Sequence, residues 1–389
     1  MKRPLMAALL CTSIVALGAC KGADPAPGAS QSAPAAATGG LQARDGQQVT
    51  EPADSEARPV MQAQVVLDRL GFTPGVVDGK MGLSTRNAIS GFQEANGLGV
   101  TGELDEATVK ALSQWQTIPA TRMITIPADF AAGPFVALPK RPAEQSRLPA
   151  LGYESLDEKL AERFHTTVET LAALNPQIAT AQAAPDAGGS APASPLSSPS
   201  PSSSVTPAAA LFAAGQQIRV PNVGNDKVDP SQVRDAGWAQ TLVMLGVGSA
   251  QPQAERIVVS KSKGTMKVYD KAEKLVAVYT ATMGSEHDPL PIGEWKINGT
   301  SYNPEFHYNP KLFWDAKRGD KAATLPPGPN GPVGVVWIDL SKPHYGIHGT
   351  PHPETIGRAE SHGCVRLTNW DVARLAQMVH AGTQVLFEA

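Results

Sequence analysis

Residues 359–369 read AESHGCVRLTN and place Cys364 between the Ser361-His362-Gly363 run and Arg366. A thiol in such company has four uses: half of a disulfide, a metal ligand, a small apolar filler, or a nucleophile. The other cysteines, Cys11 and Cys20, fall in an N-terminal segment read below as an export signal and its modification site, which leaves Cys364 without a partner in the chain. Buried filler cysteines behave as small hydrophobes, and the polar, flexible Ser-His-Gly run suits a core poorly. Zinc would need further Cys, His or acidic ligands. His344, His348, His352 and His362 are close in sequence, but Pro351 separates His348 from His352, and no spacing matches a zinc signature. The residue pattern therefore favours a nucleophile, with no metal and no cofactor.

The chemistry has a physical basis. An ordinary thiol is only slightly ionised at neutral pH, and a neighbouring imidazole can take its proton. His362 lies two residues from Cys364, which constrains how its ring can reach the sulfur. His348, in YGIHGT, follows the apolar run 333–340 and can arrive from a neighbouring strand. Gly363 permits unusual dihedrals, so the N–H groups of Gly363 and Cys364 can face a developing oxyanion. Arg366 offers a fixed cation to a substrate carboxylate, and a structural salt bridge is its equally weighted alternative. His344 and His352 read as exposed loop residues.

The elements that must hold these groups lie in residues 254–389, which read as one β-rich domain. RIVVSK, TMKVYD and KLVAVYTATMG are strand-like, with a DKAEK turn between the last two; VGVVWIDL and TQVLFEA are later strands. TNWDVARLAQMVHAG is a helix that Thr368 or Asn369 can cap, with Val372, Leu375, Ala376 and Val379 on its apolar face and Gly382 as its stop.

The rest of the chain is a string of smaller pieces. With 34 Pro and 36 Gly but only 5% aromatic and 18% charged residues, the 389-residue chain must mix folded units with low-complexity tracts. A formal net charge of -3 and the absence of basic runs argue against a nucleic-acid partner. Lys2 and Arg3 precede an apolar stretch, Leu5–Leu17, too short for a stable bilayer span and suited to an export signal over 1–19. Residues 20–57 read as a flexible tether. Residues 58–115 carry three helical patterns: Val65, Val66 and Leu70; Ala88, Ile89 and Phe92 after Ser84-Thr85; and Ala107, Thr108, Ala111 and Leu112 after Asp105. Residues 150–222 hold two capping boxes, Ser155-x-x-Glu158 and Thr166-x-x-Glu169, the second helix stopping at Asn175-Pro176. A strand candidate, GQQIRVPN, follows a low-complexity insert over 179–210, and a first strand is placed near Tyr153. The fold class expected is a multidomain α+β chain: a three-helix domain, a βααβ module and a C-terminal, mostly β domain.

Four resemblances attach to these motifs. Leu17-Gly18-Ala19-Cys20 resembles the lipobox of bacterial lipoproteins, which implies acylation of Cys20 and a membrane anchor. With Lys21 rather than aspartate next, it implies a lipoprotein facing the periplasm from the outer membrane of a Gram-negative envelope. The half-repeat GVVDGKMGLST … FQ … GVTGELDEAT resembles the three-helix peptidoglycan-binding domain 1 family. RFHTTVETLAALNP … GQQIRVPN is similar to the LysM glycan-binding module. HGTPHPETIGRAESHGCVRLTN resembles the active-site signature of the L,D-transpeptidase (YkuD) family, with DPLPIGEWKI and GPNGPVGVVWIDL similar to its upstream segments. That last resemblance implies a domain built around a mixed sheet. It implies Cys364 as acylated nucleophile and His348 as proton acceptor and donor, oriented by the Gly349 carbonyl. Ser361 and His362 would shape the site, and Arg366 would position the peptide stem. The implied reaction opens the bond before the terminal D-alanine of a tetrapeptide stem, forms a thioester and passes it to an amine, giving 3→3 cross-links in peptidoglycan. The same residues could instead attach a lipoprotein or let water hydrolyse the thioester. A non-catalytic membrane-to-wall tether is the reading from another class.

Overall fold

The computed structural model describes residues 54, 56–178, 210–224 and 227–389. The expected export signal, Cys20, the tether as far as residue 53 and most of the insert lie outside them.

The first helical unit is built as the turn signals require. α1 (Pro59–Arg69) starts with Pro in its first turn, α2 (Leu83–Ala95) follows the glycine-rich loop, and α3 (Glu106–Leu112) is capped by Asp105, whose side chain accepts from Thr108 N. The half-repeat has a physical cause in two buried glutamines. The Gln64 oxygen accepts from the Asp78 and Gly79 amides, while its nitrogen donates to Thr85 Oγ1 at 3.0 Å. Gln93 repeats the pattern, accepting from Thr101 and Gly102 and donating to Thr108 Oγ1 at 2.7 Å. Each glutamine thus satisfies a tight loop that has no ladder of its own.

The next unit runs from a strand through two short helical turns, Ala128–Ala131 and Pro142–Gln145, and the two expected helices to a second strand, and its first strand is not near Tyr153. β1 (Thr121–Thr125) pairs antiparallel with β2 (Gln217–Pro221), Thr121 opposite Pro221. Tyr153 is instead a buried loop residue immediately before α4 (Leu156–Arg163). The alternation in TRMIT is too short and too weakly apolar to stand out from the sequence. The first capping box forms, Ser155 accepting from Glu158 N at 3.1 Å. The second shifts by one residue: Thr167 caps α5 (Val168–Leu174), because the Thr166 hydroxyl donates to the Val77 carbonyl at 2.6 Å. Asn175 ends that helix and ties it to β2, donating to and accepting from Arg219 backbone atoms.

A helix absent from the sequence reading, α6 (Ala236–Leu245), precedes the β-rich domain and packs Trp238, Leu242 and Leu245 into its core. The strands then run β3 (Arg256–Ser260), β4 (Thr265–Tyr269), β5 (Leu275–Thr280), β6 (Thr282–Met283), β7 (Gly293–Tyr302), β8 (Phe306–Tyr308), β9 (Ala323–Leu325), β10 (Val336–Leu340), β11 (Gly346–His348), β12 (Val365–Arg366) and β13 (Gln384–Glu388). Among the described residues they form a nine-stranded sheet in the order β5-β4-β3-β13-β7-β10-β11-β12-β6, with β8 and β9 as a separate hairpin. β13 pairs parallel with β3, and β11 with β12; the other pairs are antiparallel, so the sheet is mixed. α7 (Asn369–Met378) is capped by Thr368, which accepts from Asp371 N. It stops at Met378 rather than at Gly382, because Val379 is already extended.

The units are not beads on a string. Phe72 bridges to Val278 of β5, with Thr73 N donating to the Val278 carbonyl at 3.0 Å and Val278 N to the Gly71 carbonyl at 3.1 Å. α2 lies so close to β5 that a Cβ on Gly91 would sit 2.5 Å from Val278 Cγ2. Between the units lies a buried charged node. Arg374 of α7 donates twice to the Asp68 carboxylate, at 2.7 and 2.9 Å, and His165 meets the same carboxylate at 3.2 Å. The other ring nitrogen of His165 faces the Leu245 carbonyl at 2.9 Å, and the ring stacks on Trp370, centroids 5.0 Å apart.

Candidate active site

The pairing of β11 with β12 sets Ile347 opposite Val365 and His348 opposite Arg366. Ile347 and Val365 are both fully buried in the sheet core. Because side chains alternate across a strand, His348, Arg366 and Cys364, which immediately precedes Val365, share the opposite face. This register is what brings the motif HGT to the motif SHGC.

The loop entering β12 is held by Ser361. Its hydroxyl donates to the Cys364 carbonyl at 2.6 Å and accepts from the Gly284 amide at 2.6 Å, and Ser361 N donates to the Gly284 carbonyl. Gly363 has φ +94, and a Cβ there would fall 2.6 Å from Tyr345 Cε1. No other residue fits both constraints. Neither the Gly363 nor the Cys364 N–H is tied up in a turn or loop hydrogen bond.

His348 is buried, and its Nδ1 lies 2.7 Å from the Gly349 carbonyl. A carbonyl can only accept, so Nδ1 carries the hydrogen and Nε2 keeps the lone pair. Burial, and then the Arg366 cation, push the His348 pKa down to about 4, against the pull of the Gly349 hydrogen bond. The ring is further fixed by Trp337, stacked on it at 5.6 Å and 19°. Gly346 makes room for that indole, since a Cβ there would come within 2.5 Å of it.

Burial also raises the Cys364 thiol, partly offset by the Gly346 backbone and Arg366. The thiol hydrogen bonds to the His344 carbonyl at 3.8 Å rather than to the imidazole. The site is therefore a neutral thiol beside a neutral imidazole at neutral pH. Arg366 donates to the Glu360 carbonyl at 3.3 Å, while its Nε is buried without a partner; burial lowers its pKa. Arg366 makes no salt bridge among the described residues.

His362 turns away from the sulfur. Its Nε2 meets Asp315 Oδ1 at 2.8 Å, and its ring packs edge-on against Phe313 at 5.0 Å and near Trp314 at 5.8 Å. Those three residues lie between β8 and β9, where Trp314 also stacks on His287 at 4.5 Å. Residues 306–325 thus form a flap resting on the SHGC loop. Tyr345, Trp337 and the flap were not found by sequence reasoning. His352 is exposed beside Glu354, at 3.7 Å, and the His344 ring is exposed while its carbonyl serves the thiol.

Comparison with known proteins places two parts of the chain in families. Residues 254–386 match the L,D-transpeptidase catalytic domain (YkuD), and residues 56–112 match a peptidoglycan binding domain. An L,D-transpeptidase YkuD of Bacillus subtilis is 56% identical over 175 residues, covering 45% of this chain and 91% of that protein. Its Bacillus licheniformis namesake is 34% identical over 146 residues, covering 38% of this chain and 73% of that protein. Among solved structures, an L,D-transpeptidase from Mycobacterium smegmatis is 20% identical with a TM-score of 0.29, over 35% of this chain and 59% of that one. The chain thus spans under two thirds of that solved relative. No helix among the described residues is long and apolar enough to cross a membrane. With a domain of each kind that acts on or binds peptidoglycan, the place of work is the cell envelope. The chain belongs to the L,D-transpeptidase family, and residues 254–386 are its YkuD catalytic domain.

Proposed function

We propose that the chain cross-links peptidoglycan by acyl transfer through Cys364. The observation that carries this reading is the β11–β12 register, which sets Cys364, His348 and Arg366 on one face of the sheet. His348 Nε2 takes the thiol proton as Sγ attacks the carbonyl that precedes the terminal D-alanine of a tetrapeptide stem. The Gly363 and Cys364 amides face the oxyanion. His348 then returns the proton to the leaving amine, D-alanine departs and a thioester remains. An amine of a second stem attacks the thioester, His348 accepts its proton, and the sulfur leaves as the 3→3 amide forms and recovers that proton. Arg366, with its unpartnered Nε, binds the stem carboxylate, Ser361 and Gly349 hold the loop and the base, and His362 anchors the flap. The βααβ module serves as a LysM-like glycan-binding unit beside the peptidoglycan-binding helices. Acylated Cys20 holds the protein to the membrane, at the periplasmic face of the outer membrane.

The test is product analysis on disaccharide–tetrapeptide fragments. Wild-type protein is expected to give 3→3 dimers and Cys364→Ala none; an undiminished dimer yield in the variant sinks the reading. Free tripeptide without dimer would mark a hydrolase using the same residues.

A further inference from the structure

Asn369 opens α7 directly after the SHGCVRLT segment and is fully buried. Its Oδ1 accepts from the Val335 amide at 3.3 Å and presses against Gly349, where a Cβ would lie only 2.2 Å from it. Its Nδ2 donates to the Pro329 carbonyl at 3.0 Å and to Glu162 Oε1 at 2.7 Å. Glu162 is not part of the catalytic domain: it lies on α4 of the βααβ module, 207 residues away in sequence, and is itself buried.

The orientation of this amide matters. If it flipped, its NH2 would meet the Val335 N–H, donor against donor, and the hydrogens would crowd Gly349. The same Gly349 offers the carbonyl that holds His348 Nδ1 at 2.7 Å. We propose that Glu162 is a positioning residue for His348, acting through the Asn369 side chain and the Gly349 peptide. The βααβ module then completes the catalytic domain as well as flanking it. The Pro329 carbonyl supplies a second acceptor, so removal of Glu162 loosens the amide rather than freeing it. The inference rests on His348 being the proton acceptor.

The experiment uses the full chain and D-alanine release from a defined tetrapeptide fragment, with rates counted per Cys364 that can be alkylated. Glu162→Ala is expected to lower kcat about tenfold, the scale of a small misplacement of a reacting group, with KM unchanged. Glu162→Gln keeps an acceptor for Asn369 and is expected to recover kcat to within about twofold of wild type. Should the Ala variant fail to fold, Glu162→Met preserves the volume without the acceptor and is expected to show the same loss in kcat. Wild-type kcat in the folded Ala or Met variant, a change confined to KM, or a Gln variant no better than Met would each overturn the proposal. His348→Ala separates the two levels. Near-complete loss there with normal kcat in the Glu162 variants removes only the positioning role, whereas retained turnover in His348→Ala removes the base and this inference with it.

Discussion

At Cys364 and His348, burial holds the resting pair neutral: it raises the thiol, and together with Arg366 it lowers the imidazole to about 4. A neutral imidazole is the form that can accept a proton, so the acid limb of kcat/KM should fall near pH 4 rather than near the ordinary histidine value. Arg366 contributes to that depression. Arg366→Ala removes a cation that opposes protonation, so the His348 pKa should rise and the acid limb should move to higher pH. The same variant should raise KM for stems with a free carboxylate, and a pH–rate series on both proteins checks the two effects together. The residues at this scale were legible because they sit in short motifs: HGT and SHGCVR hold the proposed base, nucleophile and cation, and the β11–β12 register brings the two motifs together. Tyr345 was not, since its bearing on Gly363 is a ring sitting where a Cβ would go. Nor was the direction of His362, adjacent in sequence and yet committed to Asp315.

Among the elements, the flap over 306–325 rests on the SHGC loop through His362, where it would govern what reaches the thioester of the proposed reaction. Trp314 is 57% exposed, yet it bridges His287 and His362 by ring contacts. A flap resting on the loop restricts water while an amine is awaited. Trp314→Ala or Asp315→Ala should therefore shift products from cross-linked dimer toward tripeptide, with the overall rate of D-alanine release changed less. Mass spectrometry of both products reads the ratio, and an unchanged ratio would exclude a role for the flap in partition. The sequence reading caught the apolar strands β2, β3, β4, β5, β10 and β13, and the helix α7. It missed β1, misplacing the first strand of its module, and shifted one cap because the Thr166 hydroxyl is drawn to a carbonyl of another unit. Tertiary partners of that kind leave no local periodicity to read.

For the molecule as a whole, the buried node of Asp68, His165 and Arg374 joins the helical unit, the βααβ module and the helix after the nucleophile. A buried pair adds little net stability, but removing one partner strands a charge at a cost of about 3–5 kcal/mol. Asp68→Asn should therefore lower the unfolding free energy by about that amount, read by chemical denaturation. The loss should be felt across all three units in one transition. Separate transitions, with the catalytic domain unmoved, would show that the node does not couple them. In the sequence, glycine-rich loops and the Pro/Ser insert mark out separate units. Their fusion was not legible, because nothing local to Asp68, His165 or Arg374 marks the three as partners until they are packed.

The bridge between Phe72 and Val278 has a consequence for solubility. β5 is one end of the nine-stranded sheet, and an uncovered end strand offers its free N–H and C=O groups to any strand that comes by. Here Gly71 and Thr73 take up both backbone groups of Val278, while α2 roofs its side chain through Gly91. The helical unit is thus also the sheet's edge guard. A chain cut before residue 254 would keep Cys364, His348 and Arg366, lose Glu162, and present Leu275 and Val278 bare on an open edge. Such a fragment is expected to self-associate through β5.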